Sequence, residues 1–256
     1  MTQEQRLDFL IRYLLSERKV HPDAAIPSSL PEKRRLLRSL MNARPPAPIG
    51  ENFLAVQDAY LRERLAKRGV TSVQDLTPAQ PGLYLWQGDI TTLAADAIVN
   101  AANCQMLGCF VPCHGCIDNA IHTYAGVQLR LDCARLMGRQ AEEPTGRAKI
   151  TRAYNLPCRH VLHTVGPIVD GAVTKAHREQ LASCYRSCLE LAAKSGLQSV
   201  AFCCISTGEF RFPGEAAAEI AIRTVRAWRQ QHPNAIEVIF NVFKDSDAQI
   251  YRQLLR

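Results

Sequence analysis

Apolar positions in the first eighty residues recur with a helical period. Leu7, Ile11 and Leu14/Leu15 share one face, Leu36, Leu37, Leu40 and Met41 share a second, and a third pattern runs from about Glu51 to Lys67 and stops at Gly69. Ser29, two residues before Pro31, fits the cap of the second helix. The Pro-rich stretch ARPPAPIG (43–50) separates the second helix from the third. Three helices are expected, and the Leu36/Leu40 and Phe53/Leu54 faces need burial. From Leu83 onward the period changes to short apolar runs alternating with amphipathic stretches. The runs LYLWQ (83–87), AIVNAA (97–102), KITRAY (149–154), HVLHTV (160–165), SVAFCCI (199–205) and IEVIFNVF (236–243) read as strands. Helices are expected near 117–138, 175–194, 214–231 and 246–255. Such alternation builds a mostly parallel or mixed sheet with helices on both faces, and ligands bind such sheets at the carboxyl ends of strands.

Composition narrows the picture modestly. The 256 residues suffice for one α/β domain with an appendage, and 47% hydrophobic against 21% charged residues is the balance of a folded chain. No apolar run approaches the roughly 20 residues of a membrane helix. Acids and bases intermix in MTQEQRLDFLIRYLLSERK, which does not read as a secretory signal, so a cytoplasmic, reducing setting is expected. There ten cysteines argue against a disulfide framework, and a local Cys/His cluster leans towards metal binding or catalysis. The net charge of +7 suits a polyanionic ligand. The excess is spread over Lys33, Arg34, Arg35, Arg38, Arg62, Arg64, Lys67 and Arg68, for which solvated helix faces are the simpler account, and no nucleic-acid or membrane partner is expected.

Three strand-to-loop junctions carry unusual residues: QGDIT (87–91), NAANCQMLGCFVPCHGC (100–116) before a helix at Ile117, and ISTGEFRFPG (205–214) before a helix near Glu215. Strand, loop and helix N-terminus together aim backbone N–H groups into a cleft, which favours phosphate. STG adds two hydroxyls and a residue without Cβ; alone it would equally make an ordinary turn. Within LGCFVPCHGC (107–116) three cysteines and a histidine fall in ten positions, a cluster open to metal, disulfide or core packing.

GDITTLAADAIVNAAN (88–103), CIDNAIHTYAG (116–126), HTVGP (163–167), ISTGEFRFP (205–213) and FNVFKDSD (240–247) resemble, in order, the motifs of the macrodomains, which bind ADP-ribose. The helical N-terminus, with LMNARPPAPI and FLAVQDAYL, and the CFVPCHGC insertion are similar to the zinc-containing macrodomain hydrolases. The resemblance implies a three-layer α/β/α sandwich with a mixed central sheet over 81–256, preceded by a helical extension over 1–80 packed on it. It implies that Asp89, with the Ile90 backbone beside it, holds the adenine amino group, and that Phe243 stacks on adenine, although core packing would equally explain Phe243. Ser206, Thr207, Gly208, Glu209 and Phe210 match the diphosphate loop. Arg211 stands where relatives carry a second glycine, and Glu209 is expected to turn its carboxylate away from the diphosphate. Asn103 inherits contact with the distal ribose and, with Asp118, a catalytic role, while Asn100 is a candidate loop brace. Cys116 and Ile117 line the same ligand, and Asp118 matches the catalytic aspartate, with a helix cap as its alternative role.

Relatives ligate zinc at the positions of Cys109, His114 and Cys116. Two thiolates and an imidazole suit one Zn²⁺ per chain, and three protein ligands leave a fourth position open, as catalytic sites do. Cys113 could close a Cys3His site, but side chains of the adjacent Cys113 and His114 converge on one ion with difficulty. His122 is expected to be a helix-face histidine, and His163 to support the sheet. The implied activity is zinc-dependent removal of mono-ADP-ribose from protein, at Asp or Glu side chains, whose ester has a good leaving group. The family also implies a lipoylated carrier resembling the glycine-cleavage H protein, modified by a sirtuin-like transferase. A non-catalytic ADP-ribose-binding module and an O-acetyl-ADP-ribose deacetylase are the alternatives.

Overall fold

The computed structural model describes residues 1–19, 26–233 and 235–256. Helix α1 (Gln3–Glu17) opens with a capping box, in which the Thr2 side chain accepts from the Gln5 amide and the Gln5 side chain accepts from the Thr2 amide. Helix α2 (Leu30–Ala43) starts at Ser29, whose hydroxyl accepts from the Glu32 amide. Helix α3 (Glu51–Arg68) ends at Gly69, whose φ of 82° lies in the left-handed region. Leu7, Leu10, Ile11 and Leu14 of α1 meet Leu37, Leu40 and Met41 of α2 and Phe53, Tyr60 and Leu61 of α3 in a core of their own. Among the described residues no helix is long and apolar enough to cross a membrane.

The rest of the chain runs β1 (Thr71–Ser72), β2 (Pro78–Gln80), β3 (Leu83–Gln87), β4 (Leu93–Ala94), β5 (Ala97–Ala102), α4 (Ile117–Ala125), α5 (Val127–Met137), β6 (Ala148–Arg152), β7 (His160–Val165), α6 (Lys175–Lys194), β8 (Ser199–Phe202), α7 (Gly214–Gln231), β9 (Glu237–Val242) and α8 (Asp245–Leu254). A seven-stranded sheet has the order β2-β3-β9-β8-β5-β7-β6. The five central strands are parallel, and the edge strands β2 and β6 are antiparallel to their neighbours. The sheet is therefore mixed, as the pattern of apolar runs predicts. Strand alternation puts Asn100 and His163 on the face that meets α4 and α5, while Phe202 and Phe240 on the other face pack against Tyr185 of α6 and Tyr251 of α8. The result is a three-layer α/β/α sandwich around a mixed sheet, the architecture that the macrodomain resemblance implies, with the helical N-terminal segment ahead of it.

Besides the short parallel pair β1 and β4, which the sequence did not suggest, two elements differ from expectation. The stretch 117–138 is two helices, broken at Gly126 with φ of 100°. A Cβ there would lie 2.6 Å from the Gln57 amide nitrogen. The glycine admits Gln57 of α3, whose carbonyl oxygen accepts the Val127 amide at 3.0 Å and so caps α5 from outside. Strand β2 begins at a proline in a turn-like sequence; its edge position explains the tolerance, since half its backbone groups need no partner in the sheet.

A polar seam joins the first three helices to the others. Arg130, 5% exposed, donates to the carbonyls of Met41 (3.1 Å), Asn42 (2.6 Å), Arg44, Leu107 (2.7 Å) and Cys109 (3.3 Å). Asp58 of α3 accepts from Asn155 at 2.7 Å and Gln128 at 2.9 Å. Some basic residues of α2 and α3 are also less solvated than their sequence suggests, although Arg35, Arg62 and Lys67 are exposed. Lys33 is buried and paired with Glu4 and Asp8, Arg38 reaches into the 109–116 loop, and Arg68 pairs with Asp89. Replacing Arg130 with methionine leaves this set of buried carbonyls without donors, at an expected cost of about 3 kcal/mol in unfolding free energy. Urea denaturation measures it, and a variant within about 0.5 kcal/mol of the parent would show the seam to be dispensable.

Candidate functional site

Parallel strands β3, β5, β7, β8 and β9 release their loops at one edge of the sheet, and the unusual residues collect there. Asp89, directly after β3, caps a short 3-10 turn: its Oδ1 accepts from the Thr91 amide at 3.0 Å and the Thr91 hydroxyl at 2.6 Å. Its Oδ2 accepts from Arg68 of α3 at 2.9 Å. The Arg68 guanidinium lies flat over the Tyr124 ring, 3.8 Å from its centroid. Asn241 of β9 donates to the Trp86 and Gly88 carbonyls, which fixes the approach to Asp89. Ile90 is buried behind the turn, whereas Phe243, at the end of β9, is 76% exposed. That exposure removes core packing as an account of Phe243 and leaves a free ring face.

The 206–212 loop is wound on itself. The Thr207 hydroxyl donates to the Cys204 carbonyl, Arg211 N donates to Gly208 O, and Phe212 N donates to Ser206 O. Ser206 and Arg211 hold φ of 66° and 58°. Arg211, which stands where a glycine is usual, keeps the left-handed backbone a glycine would adopt, at about 1 kcal/mol of strain. The Ser206 hydroxyl is buried without a partner against Gly166, where an added Cβ would sit 2.0 Å from it. Gly208 is exposed, and Phe210 is half-buried with its carbonyl accepting the Val169 amide. Glu209 turns to the 109–116 loop, its Oε1 3.5 Å from His114 Nε2.

After β5, Asn103 staples its own loop, donating to Gly108 O and accepting from Gln105 N. Cys109, His114 and Cys116 then converge, with their ligand atoms within 4.8 Å of one another and Cys109 Sγ 3.7 Å from His114 Nδ1. Cys113 does not join them. Its φ of 57° rotates it towards α2, where its thiol donates to the Arg35 carbonyl and its amide to Asn42 Oδ1. Cys116 caps α4, its sulfur accepting the Asn119 amide. Burial, with Cys109 and Asp118 nearby, pushes the Cys116 thiol up to about 12. Ionising it therefore calls for a neighbouring cation. Two thiol sulfurs and one imidazole nitrogen around one point fit a soft or borderline divalent metal.

Asp118 is 4% exposed in the first turn of α4, and Ile117 precedes it as the first helical residue. Burial raises the Asp118 carboxyl to about 6, although Asn100 and the Arg130 charge oppose the rise. Asn100 Nδ2 donates to Asp118 Oδ1 at 2.8 Å, so Asn100 braces this carboxylate rather than its own loop. The same nitrogen lies 3.1 Å from His163 Nδ1, which must accept there, leaving the proton on Nε2 to be donated to the Thr151 hydroxyl at 2.9 Å. Burial holds His163 near 4 and His122 well below its usual value, so both are neutral. The 3.5 Å approach of His122 Nε2 to Asp118 is accordingly not an ion pair. His122, Cys133 and His163 are also close enough to hold a metal. Both His163 nitrogens are engaged, however, with Asn100 and Thr151, so His163 serves as the hydrogen-bonded floor beneath Asp118 rather than as a ready ligand. Sequence reasoning missed Arg38, Arg68 and Asn119 at this site, because Arg68–Asp89 and Arg38–Asn119 join residues 21 and 81 apart and leave no local pattern.

A family model described as Macro domain matches residues 99–221. A protein-ADP-ribose hydrolase of Treponema medium is 53% identical to this chain over all of both sequences. A protein-ADP-ribose hydrolase of Staphylococcus aureus (strain MRSA252) is 48% identical, covering 98% of this chain and 96% of its own. The crystal structure of the Trypanosoma brucei macrodomain in complex with ADP-ribose superposes with a TM-score of 0.67 at 32% identity, covering 86% of this chain and 95% of that one.

The close approach at Gly166 yields a test of the site's packing. Gly166→Ala is expected to cost about 1–3 kcal/mol through overpacking against Ser206 and Ile205. Urea denaturation would read the loss, and unchanged stability would mean that the two loops are not in contact.

Proposed function

From the premise that this chain belongs to the macrodomain family, we propose that it is a protein-ADP-ribose hydrolase that uses zinc to release mono-ADP-ribose from Asp or Glu side chains. The observation that carries the reading is the juxtaposition, at one edge of the sheet, of the Cys109/His114/Cys116 cluster with a buried carboxylate, Asp118, poised to exchange a proton near neutrality. The names of relatives at 48–53% identity, protein-ADP-ribose hydrolase, support the hydrolase part of this reading. In this reading 81–256 form the macrodomain and 1–80 a helical extension packed on it.

ADP-ribose would lie along the strand ends. Asp89 would accept the adenine amino group, its charge held by Arg68, and Phe243 would stack on the base. The 206–210 backbone would receive the diphosphate, with the unpartnered Ser206 hydroxyl below it and Phe210 against the distal ribose. Asn103, Cys116 and Ile117 would border that ribose, and Asp118 would take a proton from the water that replaces the carboxylate leaving group at the ribosyl carbon. Asn100 holds Asp118 Oδ1, and the neutral His122 and His163 leave it free to accept. Cys109, His114 and Cys116 would hold zinc, which when bound supplies a Lewis acid or a water of lowered pKa beside the ribose. Cys113, bonded to α2, stays out of that set. A lipoylated carrier is the modified protein that the family resemblance implies.

The test incubates the metal-analysed protein with Asp/Glu-modified, Arg-modified and lipoylated-carrier substrates, with and without a strong chelator. Release of ADP-ribose from the carboxylate-linked substrate is expected, and the chelator should abolish it. Absence of release from every substrate by zinc-loaded protein would end the hydrolase reading; full activity after complete metal removal would end only the zinc role. Asp118→Asn, which keeps the bond from Asn100, is expected to lower turnover about 10²-fold or more.

A further inference from the structure

Helix α2 holds the 109–116 loop on a single face. Arg38 and Asn42 lie four residues apart and so point the same way, and Arg35 lies one turn earlier. The Arg38 guanidinium donates through Nη2 to the His114 carbonyl at 2.9 Å, and through Nε (3.0 Å) and Nη2 (2.7 Å) to Asn119 Oδ1. Asn119 is fully buried and passes the constraint on: its side-chain nitrogen donates to the Val111 carbonyl at 3.0 Å, and its amide donates to Cys116 Sγ at 3.4 Å. One turn along α2, Asn42 accepts the Cys113 amide at 2.9 Å and donates to the Thr123 hydroxyl at 2.9 Å. The Cys113 thiol closes the set on the Arg35 carbonyl.

We infer that α2 is the element that shapes the Cys109/His114/Cys116 cluster, and that Arg38 is its positioning residue, fixing His114 through its carbonyl and Cys116 through Asn119. The planar fork is suited to this, because one group serves two acceptors in a set geometry, which a lysine ammonium on a flexible stem does poorly. The same contacts explain the left-handed backbone at Cys113: the turn that delivers its amide to Asn42 sends its sulfur to α2. The inference rests on the zinc reading for its consequence, because a loop that loses its outer support loses metal affinity, typically 10- to 100-fold. The loop constraint itself does not depend on metal.

Two measurements on the full chain separate these parts. In the first, Zn²⁺ affinity is measured by competition with a chromogenic chelator for the native protein, Arg38→Gln and Arg38→Lys, and the thiolate charge-transfer band is recorded after Co²⁺ loading. In the second, hydrogen exchange is followed in the metal-stripped proteins. Arg38→Gln is expected to weaken Zn²⁺ binding about 10-fold or more and to alter the Co²⁺ band. It should also speed exchange of the Val111–Asn119 amides, with the central strands unchanged. Arg38→Lys is expected to show both effects at smaller size and replaces the Gln variant if that fails to fold. Native metal affinity, native band and native loop protection in these variants would overturn the inference and leave the zinc reading standing. If the native protein itself takes up no Zn²⁺, the zinc reading fails, and the loop constraint stands or falls on the exchange measurement alone.

Discussion

The buried guanidinium of Arg130 is the constraint on which the site's geometry depends. It draws three carbonyls from the end of α2 and two from the loop after β5 onto one cation. A charge this deeply buried is tolerable only when its N–H groups are all met, and it also lies over the Phe110 ring. The arrangement forces the first three helices and the 107–109 backbone to share a frame. Arg38 then adds the His114 carbonyl and Asn119 to that frame, and the Asn119 amide reaches Cys116. Each residue of the Cys/His cluster is thus held by a bond to its backbone or sulfur from a buried or half-buried partner. A loop rich in small residues between a strand and a helix would otherwise have little to fix it.

Backbone conformation carries the second part of the site. Cys113, Ser206 and Arg211 occupy the left-handed region without being glycines. Each sits where the chain reverses beside the cleft, and each is retained by bonds that require the reversal: Cys113 N to Asn42, Phe212 N to Ser206 O, Arg211 N to Gly208 O. The strain is of order 1 kcal/mol apiece and is offset by these bonds. At Arg211 the outcome separates two things that a glycine usually supplies together. The conformation is kept, while the freedom of the chain to leave it is reduced.

Much of the fold was legible in the sequence because the inner parallel strands, β5, β7, β8 and β9, are buried on both faces. AIVNAA, HVLHTV and LYLWQ are short continuous apolar runs, and the strands fall on them residue for residue. Strand β2 was not legible: TPAQPG reads as a turn, and only its pairing with β3 at a sheet edge makes it a strand. The break at Gly126 was hidden for a related reason, since helical periodicity continues through it and the cause, Gln57 entering from α3, lies 69 residues upstream. The Cys/His cluster was visible through its spacing, but the absence of Cys113 from it was only one of two readings, which Arg35 and Asn42 beside Cys113 decide. Of the basic residues of α2 and α3, Arg35, Arg62 and Lys67 are solvated as expected while Lys33, Arg38 and Arg68 are not, because a basic run looks the same in sequence whether it meets water or a carboxylate such as Asp89.

The electrostatics of Asp118 show how these parts act together. Burial alone would push its carboxyl far up; Asn100 and the charge of Arg130 draw it back to about 6. Asn100 can do this only if its amide nitrogen faces Asp118, and in that orientation the same nitrogen meets His163 Nδ1, which accepts while Nε2 faces the Thr151 hydroxyl. A protonated His163 would point a donor at a donor and turn the Asn100 amide over. Its burial prevents this by holding the imidazole near 4, so that the ring stays neutral throughout the range in which Asp118 changes charge. The floor of the site is therefore fixed in one hydrogen-bonding sense while the carboxylate above it titrates, and the cation that draws Asp118 towards ionisation is the same Arg130 that ties α2 to the loop.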